Sequence, residues 1–296
     1  MAEAEGGAAL GGETGELLRS LKSLRVMVDG AVALVELVGP GKGNAMGPDF
    51  WAELPLVFGA LSAERRVRAV LLYGAGGNFS YGLDLITMEP VFAALMGGNG
   101  RNAAQRTEFR RTIGRLQQAV ASVQNCVKPV IAAIDGWCIG GGVDIAAAAD
   151  IRIASPGAKF SVREVRMAMV ADLGSLQRLP RLIGEAATRH LALTGEDIDA
   201  ARALSLGLVT ELAQDVLGRG RELAAVVAAN PPLAVQGVKE VLNFGHSREV
   251  QSGLDYVASW NAAFLPSADF TEAMGAFGEQ RRRRVRDHES QGADRS

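Results

Sequence analysis

The sequence predicts an α/β protein in which short apolar strands alternate with helices, followed by a C-terminal part that is nearly all helix. Three observations lead there. Runs such as "VRAVLLYG" (67–74) and "KPVIAAIDG" (128–136) are apolar at successive positions, as buried strands are. Between them Phe109, Ile113, Leu116, Val120 and Val123 alternate steps of four and three among arginines and glutamines, which marks one helix face. From about Gly184 onward, helical segments follow one another.

In chain order, residues 1–16, "MAEAEGGAALGGETGE", hold few large apolar side chains and read as a disordered tail. "LRVMVD", Gly30 and "AVALVELV" read as a hairpin. "GPGKGNAMG" is loop chemistry, and "PDFWAELPLVFGALSA" is a helix with Pro48 near its start. "VRAVLLYG" runs into the loop "GAGGNFSYG", and residues 101–126 form the next helix. "KPVIAAIDG" then enters "GWCIGGGVDIAAAADIRIA" (136–154), where three glycines meet an alanine-rich helix. The expected organisation is a core over 17–215, a helical region over 216–284 and a charged tail over 285–296.

Bulk properties narrow the function. The chain has 296 residues, 48% hydrophobic and 22% charged, and a formal charge of −2. That balance fits a globular protein and lacks the net basic face of a general nucleic-acid binder. "RRRR" (281–284) reads as the solvated end of the last helix, where cations meet the negative end of the dipole. Two cysteines, Cys126 and Cys138, and three histidines give no disulfide framework and no metal-ligand spacing, so neither metal nor cofactor is expected. No signal, transit or membrane-spanning pattern is visible, and "QGADRS" is not a peroxisomal address; the sequence reads as cytoplasmic.

Three segments hold candidate chemistry. The N–H of Gly141 stands at a helix start, where donors are unpaired and the dipole adds positive charge. It suits a developing oxyanion, although a bare triple glycine more often serves close packing. The loop "GGNFSYGLDL" (76–85) has room for a second backbone donor, but a turn alone also explains it. In "FSVREVRMAMVADLGSLQRLPRLIG" (160–184), Glu164 and Asp172 stand among apolar residues. Alone, Asp172 reads as a cap for a helix from Leu173, and Glu164 as the partner of Arg163 or Arg166 in an exposed ion pair.

Taken together, "GKGNAM", "NFSYGLDL", "KPVIAAIDGWCIGGGVDIAAAADIRIA" and "SLQRLPRLIG" resemble the enoyl-CoA hydratase/isomerase (crotonase) superfamily over roughly residues 20–285. "REVRMAMVADLGSLQRLP" and "GLDYVASWNAAFL" are most similar to its Δ3,5-Δ2,4-dienoyl-CoA isomerases. The resemblance implies a spiral of ββα units, C-terminal helices that build a trimer or dimer of trimers, and an acyl-CoA substrate. It places oxyanion-hole donors at Leu83 and Gly141 and acids at Asp144, Glu164 and Asp172. Ser80, Tyr81, Gly82, Leu83 and Asp84 would line the CoA channel, with Lys42 near its phosphates or adenine.

Three acids suit a long double-bond shift. Moving a 3,5-diene to the 2,4 position removes a proton from C2 and adds one at C6, a task for two carboxyl groups in opposite protonation states. An apolar pocket and mutual repulsion supply that asymmetry. The resemblance assigns Glu164 to C2 and Asp172 to C6, with Asp144 tuning Glu164. A hydratase or 3,2-enoyl-CoA isomerase is the alternative, and a non-catalytic acyl-CoA- or RNA-binding homologue a remoter one. Asp144 is a methylene shorter than the glutamate usual in hydratases, and "ADLGS" replaces their glycine-rich stretch.

Overall fold

A computed structural model of the chain describes residues 12–39, 41–96, 103–244 and 247–279. Helix α1 (Gly12–Arg19) precedes the hairpin β1 (Leu24–Asp29) and β2 (Val32–Leu37), whose turn holds Gly30 at φ 58°. Then follow α2 (Pro48–Ala63), β3 (Ala69–Gly74), α3 (Glu89–Met96), α4 (Ala103–Asn125), β4 (Val130–Ile134), β5 (Trp137–Ile139) and α5 (Gly141–Ala148). Strands β6 (Ile151–Ala154) and β7 (Lys159–Ser161) lead to a 3-10 turn (Glu164–Met167), α6 (Ser175–Ile183) and α7 (Glu185–Thr194). The chain continues through β8 (Asp197–Asp199), α8 (Ala200–Leu206), β9 (Glu211–Leu212), α9 (Val216–Ala229), α10 (Pro232–Phe244), α11 (Ser247–Phe264) and α12 (Ala268–Gly278).

The strands form two sheets. One has the order β1-β2-β3-β4-β6-β9, and the other β5-β7-β8. Only β1–β2 and β7–β8 pair antiparallel; the remaining neighbours are parallel. The chain passes from the large sheet to the small one twice, β4 to β5 and β6 to β7, before each helical segment. This repeat is what turns the chain into a spiral.

Strand β3 shows why its sequence is apolar at both parities. Val70 and Leu72 face a cluster with α2 and α4, whereas Ala69, Leu71 and Tyr73 face a second cluster with α9. A sheet covered on both sides needs apolar residues on both sides. Gly220 lets α9 come close, since a Cβ there would lie 2.7 Å from Leu71 Cδ1. On α10, Lys239 is buried and donates to Asp150 Oδ2 at 2.7 Å, which also accepts from Val130 N at 2.7 Å.

Two expectations need correction. The N-terminal part is not irregular to residue 16: a helix starts at Gly12, because Gly15 is buried and Leu18 packs against the core. The part after Gly184 is not all helix either. Strands β8 and β9 interrupt it, too short to show a period of two in the sequence. Residues 280–296, including "RRRR" and the charged tail, lie outside the described residues, as does His246.

Candidate active site

The loop after β3 is held by two short bridges, Ser80 to Cys138 and Met46 to Leu83. Ser80 N donates to Trp137 O and Ile139 N to Ser80 O, each at 2.9 Å. Met46 N donates to Gly82 O at 2.8 Å, and Asp84 N to Met46 O at 3.1 Å. In such a parallel ladder the N–H of Leu83 points away from the Met46 strand. It finds no protein acceptor among the described residues, and neither does the N–H of Gly141 at the start of α5. A Cβ on Gly141 would lie 3.7 Å from Leu83 N, so the two peptide groups are neighbours.

Gly82 makes this approach feasible. Its φ is 81°, and a Cβ there would meet Ile139 O at 2.6 Å and Gly141 N at 3.0 Å. Ser80 is wholly buried: its Oγ donates to Asn44 O at 2.9 Å and accepts from Gly82 N at 3.0 Å. Ser80 and Gly82 therefore support the loop from beneath, while Tyr81, Leu83 and Asp84 face the adjoining cleft. The expectation that all five line a channel is corrected for those two.

That cleft has a volume of about 750 Å³. Leu83, Leu85, Ile139, Met167, Met169 and Phe277 supply apolar surface, and exposed Lys42 adds a cation to its lining. Arg163 also borders it, but pairs with Asp197 at 2.7 Å and lies over the Trp137 ring, 5.3 Å from its centroid. Arg166 joins the same Asp197 at 3.4 Å.

The acids come from three different segments. Asp144, in the first turn of α5, is buried; its Oδ1 accepts from Ser175 N and its Oδ2 has no partner among the described residues. Glu164 opens the 3-10 turn and borders the cleft, with Oε2 enclosed and unpartnered. Its Oε1 lies against Gly140, the residue before the Gly141 donor, since a Cβ on Gly140 would sit 3.2 Å from it. Asp172, between that turn and α6, accepts at Oδ2 from Asn261 Nδ2 at 2.7 Å.

Both local readings of these acids are overturned. Asp172 caps no helix: α6 begins at Ser175 behind Gly174, with no side-chain cap. Glu164 makes no exposed ion pair, because both neighbouring arginines turn to Asp197 and leave its carboxyl facing inward.

Residues 28–288 match the Enoyl-CoA hydratase/isomerase family. The chain belongs to that family. It is 40% identical over 266 residues to the peroxisomal Delta(3,5)-Delta(2,4)-dienoyl-CoA isomerase of Arabidopsis thaliana, covering 89% of this chain and 95% of the relative. The mitochondrial enzyme of that name from Homo sapiens is 38% identical over 268 residues, covering 88% and 81%. A crystal structure of an enoyl-CoA hydratase/isomerase from Mycobacterium paratuberculosis superposes with a TM-score of 0.76 at 28% identity, over 86% of this chain and 97% of that one. The crotonase-like spiral expected from the sequence is therefore the fold.

Within this family member the acids sense one another. Burial pushes the Glu164 carboxyl up to about 8, helped by the charges of Asp144 and then Asp172. Burial raises Asp172 to about 7, opposed by the Asn261 hydrogen bond and reinforced by Asp144. Burial raises Asp144 only to about 6, because the hydrogen bond from Ser175 N and the Arg178 charge oppose it. Near neutral pH the cluster holds some protons but not all, as a proton-transfer site requires.

Several supporting residues escaped the sequence reading: Asn261, Ser175, Arg178 and Gln117. Gln117 Nε2 donates to Asp172 O at 2.8 Å and to Leu254 O at 3.0 Å. Arg178 is buried and donates to Gln124 Oε1 at 2.9 Å. A signal for Asn261 was present: it is the one amide in the helical series Leu254, Val257, Ala258, Asn261, Ala262, Leu265, all buried.

Proposed function

We propose that this chain is an acyl-CoA isomerase that converts 3,5-dienoyl-CoA to 2,4-dienoyl-CoA in fatty-acid β-oxidation. The observation that supports it most is the third acid. Asp172 is fixed by Asn261 behind the apolar cleft and interacts electrically with Asp144 and with Glu164, the one of the three acids that borders the cleft. Delta(3,5)-Delta(2,4)-dienoyl-CoA isomerase is also the name of the relatives at 38–40% identity.

In this reading the thioester oxygen accepts hydrogen bonds from Leu83 N and Gly141 N. C2 is one bond from the thioester carbon, so Glu164, which borders the cleft with Oε1 against Gly140, takes the C2 proton. The electron pair spreads into a dienolate over C2, C4, C6 and the oxygen, and the two N–H groups hold the negative charge. Asp172 gives a proton to C6, and the 2,4-diene results. Glu164 then loses its proton to solvent and Asp172 regains one. Asp144, ionised first of the three, keeps electrostatic pressure on Glu164. Lys42 would accompany the CoA phosphates.

We also assign it to a homo-oligomer, trimer or dimer of trimers, built through the C-terminal helices, and to the cytoplasm. Exposed Leu233, Val241 and Phe244 on α10 and Tyr256, Trp260 and Phe264 on α11 support the first. Sedimentation and cell fractionation decide these two points.

The activity is tested by absorbance. Purified protein given 3,5-dienoyl-CoA should develop the conjugated 2,4-dienoyl band, and Asp172→Asn should lose it. Efficient crotonyl-CoA hydration that survives Asp172→Asn, with no diene formed by the wild type, would select the hydratase reading instead.

A further inference from the structure

Asp172 is not held by its own segment. Its side chain and its carbonyl are both gripped by helices distant in sequence: Asn261 on α11 and Gln117 on α4. Asn261 is buried, and its amide orientation is settled by groups that cannot exchange roles. Val170 O can only accept, and takes Asn261 Nδ2–H at 2.9 Å; Val170 N–H can only donate, and reaches Asn261 Oδ1 at 3.4 Å. With the amide so turned, the second Nδ2–H points at Asp172 Oδ2, 2.7 Å away.

We infer that Asn261 is a positioning residue for Asp172: its amide, oriented by the Val170 backbone, reserves Oδ2 as an acceptor and makes Oδ1 the oxygen that carries the proton for C6. An oxygen that accepts a short N–H bond is the poorer site for a proton, so the proton goes to the other. The same bond fixes the carboxyl plane and hence the direction of delivery. Selectivity for the far end of the diene then resides partly in the C-terminal region.

The inference rests on the isomerase reading and concerns only its second half. Removal of the C2 proton uses Glu164, Leu83 and Gly141, none of which bonds Asn261. The two half-reactions can be read separately in deuterium oxide: exchange at C2 of recovered substrate reports the first, and formation of 2,4-diene reports both.

The test compares wild type, Asn261→Leu and Asn261→Asp on one 3,5-dienoyl-CoA. Asn261→Leu removes both N–H donors at similar volume. It should lower diene formation about 10- to 100-fold, as misorientation of a reacting group does, while C2 exchange stays within about threefold of wild type. Asn261→Asp should show the same split at high pH, once the introduced carboxyl, itself raised by burial against Asp172, is ionised and cannot donate. Its ratio of isomerisation to exchange should recover relative to wild type as the pH falls and that carboxyl gains an O–H. The charged and titratable groups around Asp172 are Asp144 on α5, Glu164 on the 3-10 turn and Arg178 on α6; α4 contributes the neutral Gln117. These side chains are the same in every variant, but a carboxyl at 261 titrates together with Asp172, so the isolating comparison is the ratio in Asn261→Leu against wild type at one pH.

An unchanged ratio in Asn261→Leu, whether both rates hold or both fall together, overturns the inference and leaves Asn261 a packing residue. Absence of diene formation in the wild type, or its survival in Asp172→Asn, overturns the isomerase reading itself and the inference with it.

Discussion

The two halves of the site are built differently. The side we propose for the oxyanion is backbone: two peptide N–H groups fixed by the Met46–Leu83 and Ser80–Cys138 bridges and by a glycine with no space for a Cβ. The acid side is made of side chains drawn from α5, the 3-10 turn and the loop before α6, held by α4 and α11. The backbone half has no protons to gain or lose, and works at any pH at which the protein folds. The acid half depends on three carboxyl groups whose burial opposes their ionisation. In the proposed mechanism charge stabilisation is thus the rigid part of this site, and proton placement the adjustable part.

Substitutions should separate the halves. Asp172→Asn removes the proposed C6 donor and should reduce diene formation about 10³-fold, within the usual range for a general acid, while C2 exchange persists. Gly82→Ala attacks the other half: the new methyl meets Ile139 O at 2.6 Å in a conformation with φ 81°. Displacing Leu83 N should cost about 10²-fold, and here C2 exchange and diene formation fall together. Should Gly82→Ala spare exchange, the assignment of the N–H pair to the enolate is wrong.

The pH dependence sharpens the contrast. The form that the proposed mechanism needs has Glu164 ionised and Asp172 protonated, although burial pushes Glu164 up to about 8 and Asp172 to about 7. That form is a minority microstate, so kcat/KM should follow a bell with limbs near 7 and 8 that belong to the coupled cluster. In Asp172→Asn the residual C2 exchange should rise with pH and keep no descending limb between 7 and 9.

A smaller effect appears in stability. Glu164 is raised from 4.5 to about 8 on folding, so the folded state holds its proton more tightly than the unfolded chain. The resulting stability is complete below pH 4.5 and is lost as the pH rises through about 8. Glu164→Gln has nothing to lose there. Relative to wild type it should gain about 1–3 kcal/mol between pH 4 and pH 8, measured by urea unfolding. Equal pH dependence in both proteins would mean that Glu164 is not held in an unfavourable charge environment.

The same division explains what the sequence disclosed. Local chemistry was legible: the hairpin around Gly30, the α2 span, and the glycines that prepare the Gly141 donor were all visible as short patterns. The inward placement of Glu164 and Asp172 was visible only through resemblance, because neighbours in sequence pointed to a salt bridge and a cap. Those competitors lost to tertiary packing. Arg163 and Arg166 found Asp197 on another strand, and Asp172 found Asn261, 89 residues away. Strands β8 and β9 escaped for a different reason, being three and two residues long.

The most direct test of proton delivery by Asp172 is deuterium placement in the product. The wild type should convert 3,5-dienoyl-CoA in deuterium oxide to 2,4-dienoyl-CoA labelled at C6, seen by NMR. Asp172→Asn should return substrate labelled at C2 with almost no C6-labelled product. C6-labelled diene formed by Asp172→Asn at close to the wild-type rate would contradict the three-acid mechanism.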